Sequence, residues 1–108
     1  MKYTQTTLAG IFRAADQAAK NASGTHDGGT CNFDSPVFFP ERGLRNALIE
    51  AAAVDAGIRI GIRPWFGRRC VFLYVGRGQA NQNTVMSEAA YQVLKTADLD
   101  AMMYYQMD

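Results

Sequence analysis

The chain is short of the residues that most enzyme chemistry uses. It holds one histidine and two cysteines, Cys31 and Cys70, in 108 residues. The cysteines lack metal-finger spacing, and a single histidine cannot complete the set, so no structural zinc site is expected. Reduced thiols in the cytosol are the expected state. No apolar run approaches the roughly 20 residues that span a bilayer. None follows Lys2 either, so a signal peptide is not expected. Carboxylates paired at a productive spacing are missing. His26, Asp27, Cys31 and Asp34 are the only set that resembles catalysis. A Cys–His nucleophile would need the two side chains in contact. His26 falls in a glycine-rich turn and Cys31 in a strand, so no catalytic residue and no cofactor is expected.

A further absence is local. No acidic residue occurs between Asp55 and Glu88. The net charge is only +1, which excludes the global basic field of a general DNA coater. The distribution is uneven, however. Residues 1–55 carry five basic and six acidic groups, and residues 56–87 carry five arginines with nothing opposing them. After them come Lys95 and four acids. The arginines are Arg59, Arg63, Arg68, Arg69 and Arg77, and the stretch that holds them, residues 58–83, organises the chain.

That stretch reads as strand, tight turn, strand and glycine-bearing loop. Ile58, Ile60 and Ile62 alternate with Arg59, Gly61 and Arg63. A period of 2 puts the isoleucines on one sheet face and both arginines on the other. Pro64-Trp65-Phe66-Gly67 makes the turn, with Arg68 and Arg69 at its tip. Residues 70–75 are apolar on both faces, which suits a central strand.

The remaining elements follow from periodicity and punctuation. Leu8, Ile11, Phe12, Ala15 and Ala18 mark a one-faced helix capped by Thr6 or Thr7. Residues 31–39 read as a strand, with a bulge or an unpaired position at Ser35-Pro36 because proline has no ladder donor. Pro40-Glu41 opens a second helix that buries Leu44, Ala47, Leu48, Ala51 and Ala52 and stops at Gly57. A third helix runs from near Thr84, and residues 101–107 are a last strand. The order predicts one α+β domain, residues 1–108. It consists of a ferredoxin-like split βαβ core (βαββαβ, residues 31–107) behind an extra N-terminal helix (residues 1–24). Right-handed crossovers put the two core helices on one sheet face, and the first and third strands should lie in the middle. The extra helix is expected to cover the other sheet face or to mediate a dimer.

Arginines present planar forks that match phosphate oxygens, so the cluster points to an anion site. The alternative is an edge strand whose charges only prevent edge-to-edge pairing. Gly76-Arg77-Gly78-Gln79 joins a strand to a helix, where free backbone donors suit an anion. It is neither a dinucleotide fingerprint, since Asn81 holds the third glycine position, nor a phosphate-binding P-loop. Gln79 and Asn81 are amides able to read the edges of a base. Trp65 or Phe66 would stack on a base, or else fold back onto the core. Tyr104 and Tyr105 point to opposite faces, so only one can join an open sheet face.

In size, in its α+β economy and in its Asn/Gln/Gly loops, the chain resembles small accessory proteins of phages and mobile elements. The resemblance is one of general style and carries no motif. Some such proteins block nucleases, and some sequester nucleotide messengers of host immunity. The arginine and glycine arguments stand apart from it, and the expected protein is a cytoplasmic, homo-oligomeric binding protein. Its ligand would be a nucleotide or another phosphate-bearing small molecule, held without catalysis. Arg59, Arg63, Arg68, Arg69 and Arg77 are the expected phosphate contacts, with Gly76 and Gly78 admitting the backbone. A host nucleic-acid enzyme as the inhibited partner, or single-stranded RNA on an open sheet face, are the alternatives.

Overall fold

The structure, a computed structural model, describes residues 3–22, 34–75 and 80–105, with the backbone alone for 80–83. Its elements are α1 (Gln5–Ala22), β1 (Ser35–Phe38), α2 (Asn46–Ala56), β2 (Ile60–Trp65), β3 (Arg68–Leu73), α3 (Ala80–Thr96) and β4 (Ala101–Tyr104). The four strands form one antiparallel sheet in the order β2-β3-β1-β4, so the first and third strands are its middle pair. Among the described residues no helix is long and apolar enough to cross a membrane.

Alternation divides the sheet into two faces. Phe38, Val71 and Leu73 belong to the main core, joined by Ile60, Ile62 and Ala101. Leu8, Phe12 and Ala15 of α1, Ile49 and Ala52 of α2, and Met86, Ala90 and Leu94 of α3 complete it. All three helices therefore serve one face. Val37, Phe39, Cys70 and Phe72 form a second, small cluster on the opposite face, with Trp65 and Tyr104 against them.

The helix expected over that opposite face, or at a dimer interface, is instead part of the helical layer. α1 packs against both α2 and α3, which make no contact with each other among the described residues. Phe12 explains the placement. It is fully buried, and its ring lies 6.1 Å from that of Phe38, over the middle of the sheet. Outside the core, Arg13 donates to the Asp55 carbonyl (3.0 Å) and Gln5 to the Asp55 carboxylate (2.7 Å), which ties α1 to α2. Tyr3 ties it to α3, its hydroxyl lying 3.1 Å from the carbonyl oxygens of Ala97 and of Asp98.

Several element ends differ from the sequence reading. The α1 cap is Thr4 rather than Thr6 or Thr7: Thr4 Oγ1 accepts from the Thr7 N–H (3.1 Å), and Thr7 Oγ1 from the Thr4 N–H (2.8 Å). Two threonines thus make the reciprocal bonds that a capping box makes with Ser/Thr and Glu/Gln. α2 starts at Asn46, not at Pro40-Glu41. The segment before it is a turn, with the Leu44 N–H on the Glu41 carbonyl (3.0 Å). Gly57 ends α2 in the left-handed region (φ 74), donating to the Ala53 and Val54 carbonyls, as expected. α3 starts at Ala80, so Asn81 lies in its first turn and not in a loop. β1 pairs with β4 along all four residues but with β3 only at Val37 and Phe38, so Ser35 and Pro36 are unpaired on that side.

Candidate binding face

The opposite sheet face carries most of the sequence-predicted site. Strand register fixes which side chains share it. Gly61 stands opposite Phe72, Arg63 opposite Cys70, and Trp65 opposite Arg68. One step outward, the Tyr74 N–H donates to the Arg59 carbonyl (3.0 Å), which extends the ladder and adds Arg59 and Tyr74 to the same face. β1 contributes Val37 and Phe39, and β4 contributes Met102 and Tyr104.

Aromatic rings make up the floor of this face. Trp65 lies at its centre, 6.1 Å from Phe39 in a stacked arrangement, 5.1 Å from Tyr104 and 6.2 Å from Phe72. Tyr104 meets Phe72 edge-on at 5.2 Å. Arginines lie over the rings. The Arg63 guanidinium carbon is 4.0 Å from the Phe72 ring centre, and that of Arg68 is 4.3 Å from Phe39. Both distances suit a cation held by the ring's negative face. Phe72 and Phe39 are thereby buried with no helix above them. Tyr104 joins this face, whereas Tyr105 lies on the other side and donates to Glu88 of α3 (2.5 Å).

The five arginines are not one cluster. Arg59, Arg63 and Arg68 share the open face. Arg69, expected beside Arg68 at the hairpin tip, sits in β3 and points to the helical side, because neighbours along a strand alternate. It donates to Asn46 Oδ1 (2.6 Å) and to the Glu41 carbonyl (2.9 Å), which fastens the turn before α2 to β3. Arg69 is a structural tether and not part of the face. Arg68 pairs with Asp100 (3.1 Å), both well exposed, a contact of little energy in water. Among the described residues Arg59 and Arg63 have no carboxylate partner. Gly76, Arg77, Gly78 and Gln79 lie outside the described residues, as do His26, Asp27 and Cys31, and the side chain of Asn81 is not described.

The turn itself is strained. It consists of Phe66 and Gly67, both with positive φ (54 and 68). Such two-residue turns suit a hairpin, but the first position favours Asn, Asp or Gly, and a bulky residue there is an outlier. Phe66 is nevertheless 69% exposed, with its ring 4.6 Å from Trp65. Local stability gives no reason for an exposed phenylalanine at that position.

Two residues of the face escaped the sequence reading. Phe39 stands just after β1, and its membership depends on which strands become neighbours. Tyr74 is 46% exposed and leans across Gly61. A Cβ on Gly61 would stand 2.5 Å from the Tyr74 hydroxyl oxygen. The glycine therefore provides the bed on which that tyrosine lies. Alternation of Arg59, Gly61 and Arg63 was the available signal, since it leaves a gap between two arginines.

Cys70 lies beneath this layer, fully buried. Burial raises its pKa from 9.0 to about 11, although the nearby Arg63 and Arg68 pull it down. A thiol so protonated is a weak nucleophile. Among the described residues no three His, Cys, Asp or Glu side chains stand where they could hold a metal ion. A groove of about 700 Å³ runs between α1 and α3, lined by Gly10, Ile11, Ala14, Val93 and their neighbours. No cationic side chain lines it.

Comparison of the chain with protein-family models, with curated proteins and with solved structures finds no match.

Proposed function

We propose that the protein binds a phosphate-bearing nucleotide ligand, without catalysis, on the open face of its sheet. One observation carries this reading: Arg59 and Arg63, which have no carboxylate partner among the described residues, share a face with the ring layer around Trp65. Guanidinium groups suit phosphate, and aromatic faces suit bases. If the arginines served only to protect the β2 edge, as charged residues often do, no central aromatic layer would be needed behind them. Pro64 already blunts that edge, since it offers no donor to an incoming strand. Sequestration of a nucleotide signal, as in the phage accessory proteins the chain resembles in style, is the biological form this reading takes.

A fold reading accompanies it. β1-α2-β2-β3-α3-β4 is a ferredoxin-like split βαβ unit, into whose helical layer α1 is inserted between the two crossover helices. The order of strands across the sheet and the single helical face support this.

Trp65 is the sole tryptophan, so its fluorescence reports on the site without labelling. The test is a titration with nucleotides, cyclic dinucleotides and short single-stranded oligonucleotides at low salt. Saturable quenching is expected with at least one of them. Arg63→Gln is expected to weaken that binding about tenfold, given roughly 1.5–3 kcal/mol for a hydrogen bond to a charged group. A panel in which nothing changes Trp65 emission, and nothing bound is seen by native mass spectrometry, leaves the arginines as edge protection and overturns the proposal.

A further inference from the structure

The open face is longer than one nucleotide. Its exposed aromatic groups stand at its two ends. Tyr74 lies at the Arg59 end and Phe66 at the turn, beyond Arg68, while Trp65 is half-buried between Phe66 and Phe39. Residues 68 and 74 are six steps apart along one strand, about 20 Å of backbone at the usual rise per residue. Between these ends the floor is Phe72, shielded by the Arg63 guanidinium. A guanidinium plane above a ring can itself receive a base. Arg59, Arg63 and Arg68 stand at three of the four paired levels of the run, and the level of Gly61 and Phe72 has no arginine of its own. The pattern is a line of stacking groups interleaved with cations.

Resting on the proposed nucleotide reading, we infer that the ligand is a single-stranded nucleic-acid segment laid along the β2–β3 hairpin. Tyr74 takes the base at one end and Phe66, whose ring lies 4.6 Å from that of Trp65, the base at the other. A lone nucleotide cannot touch both. Two or three consecutive bases is the number a four-stranded sheet of this kind stacks. Gly61 acts as a positioning residue: with no side chain of its own, it lets Tyr74 lean inward over the hairpin, next to the Arg63 level.

The experiment is a length series on the intact protein, followed by Trp65 fluorescence. Mono-, di-, tri- and hexanucleotides are titrated as ribo and deoxyribo sets, and the difference between the sets assigns the source as RNA or DNA. The affinity is expected to rise about tenfold or more from mono- to trinucleotide, in line with the stacking of one further base. Little further gain is expected at six. Tyr74→Ala should weaken the trinucleotide about tenfold and leave the mononucleotide unchanged, while Tyr74→Phe keeps the wild-type affinity. Gly61→Ala, which displaces Tyr74 without altering it, should follow Tyr74→Ala. Mononucleotide binding as tight as trinucleotide binding overturns the inference and leaves the nucleotide reading standing. So does a Tyr74→Ala variant that folds and binds the trinucleotide normally. Absence of binding across the whole series, with Arg63→Gln indistinguishable from wild type, overturns both.

Discussion

The two faces of the sheet are buried by different means. The helical face is closed by side chains from three helices, with Phe12 seated over Phe38. Its apolar members are aliphatic side chains, phenylalanines, Met86 and Tyr3, and the buried Asp34 carboxylate at its margin accepts from Thr84 of α3 (2.7 Å). The open face has no helix above it, yet Phe72 and Phe39 are as inaccessible as the core proper. Their cover is Arg63, Arg68, Trp65 and Tyr104. Burial by hydrocarbon is permanent on the timescale of the fold. Burial by a cation on a flexible stem can be exchanged for burial by a ligand, because the arginine is free to turn to a phosphate. On the proposed reading, the same sheet is a core on one side and carries an exchangeable cover on the other.

Damage to one face should leave the other unaffected. Phe12→Ala removes the ring at the centre of the helical layer. It should destabilise the fold by about 3–5 kcal/mol in urea unfolding. If the variant is studied where it remains folded, its ligand affinity should equal the wild type's. An equal loss of affinity would mean that the faces are not independent.

A smaller effect separates the kinds of burial by pH. The Cys70 pKa is about 11 in the folded protein against 9.0 when exposed, so the unfolded chain loses the proton first. Its contribution to stability is therefore complete below pH 9 and declines as the pH rises toward 11. The difference between wild type and Cys70→Ala should shrink across that window, by on the order of 2 kcal/mol. In a Cys31→Ser background, a thiol-specific reagent at pH 8 should label Cys70 only as fast as the protein unfolds. Rapid labelling of native protein would show that the arginine cover opens on its own.

The smallest effects are expected at Arg68 and Arg69, chain neighbours on opposite faces of the sheet. Arg69→Gln cuts the tether to Asn46 and Glu41 and should cost about 1 kcal/mol of stability without changing ligand affinity. Arg68→Gln loses an exposed ion pair and should change stability by less than about 0.5 kcal/mol, while weakening the ligand. Reversal of the two outcomes would put the ligand on the helical side.

These neighbours also show how far the sequence carries. Strict alternation of isoleucine with Arg59, Gly61 and Arg63 was enough to assign those arginines to the face away from the core. No such alternation covers Arg68 and Arg69, since both flank a turn whose length depends on where pairing begins. Pairing begins at Trp65 and Arg68, so Phe66 and Gly67 alone form the turn and the two arginines diverge. The start of α2 was misread for a related reason. Pro40-Glu41 is a sound local signal, but Arg69, far along the chain, fastens that segment as a turn. The position of α1 was not legible either. An amphipathic stripe gives the buried side of a helix, not the surface it meets. Tyr74 and Phe39 join the open face only through pairings between strands, which no local pattern encodes.

On the proposed reading the open face, and not the helical layer, receives the ligand. The most direct test is amide and indole chemical-shift mapping by NMR during titration with a single-stranded trinucleotide. The largest shifts are expected at Arg59, Gly61, Arg63, the Trp65 indole N–H and Tyr74, with residues of α1 and α2 almost still. Shifts concentrated along the groove between α1 and α3, or absent from the β2–β3 hairpin at saturation, would contradict it.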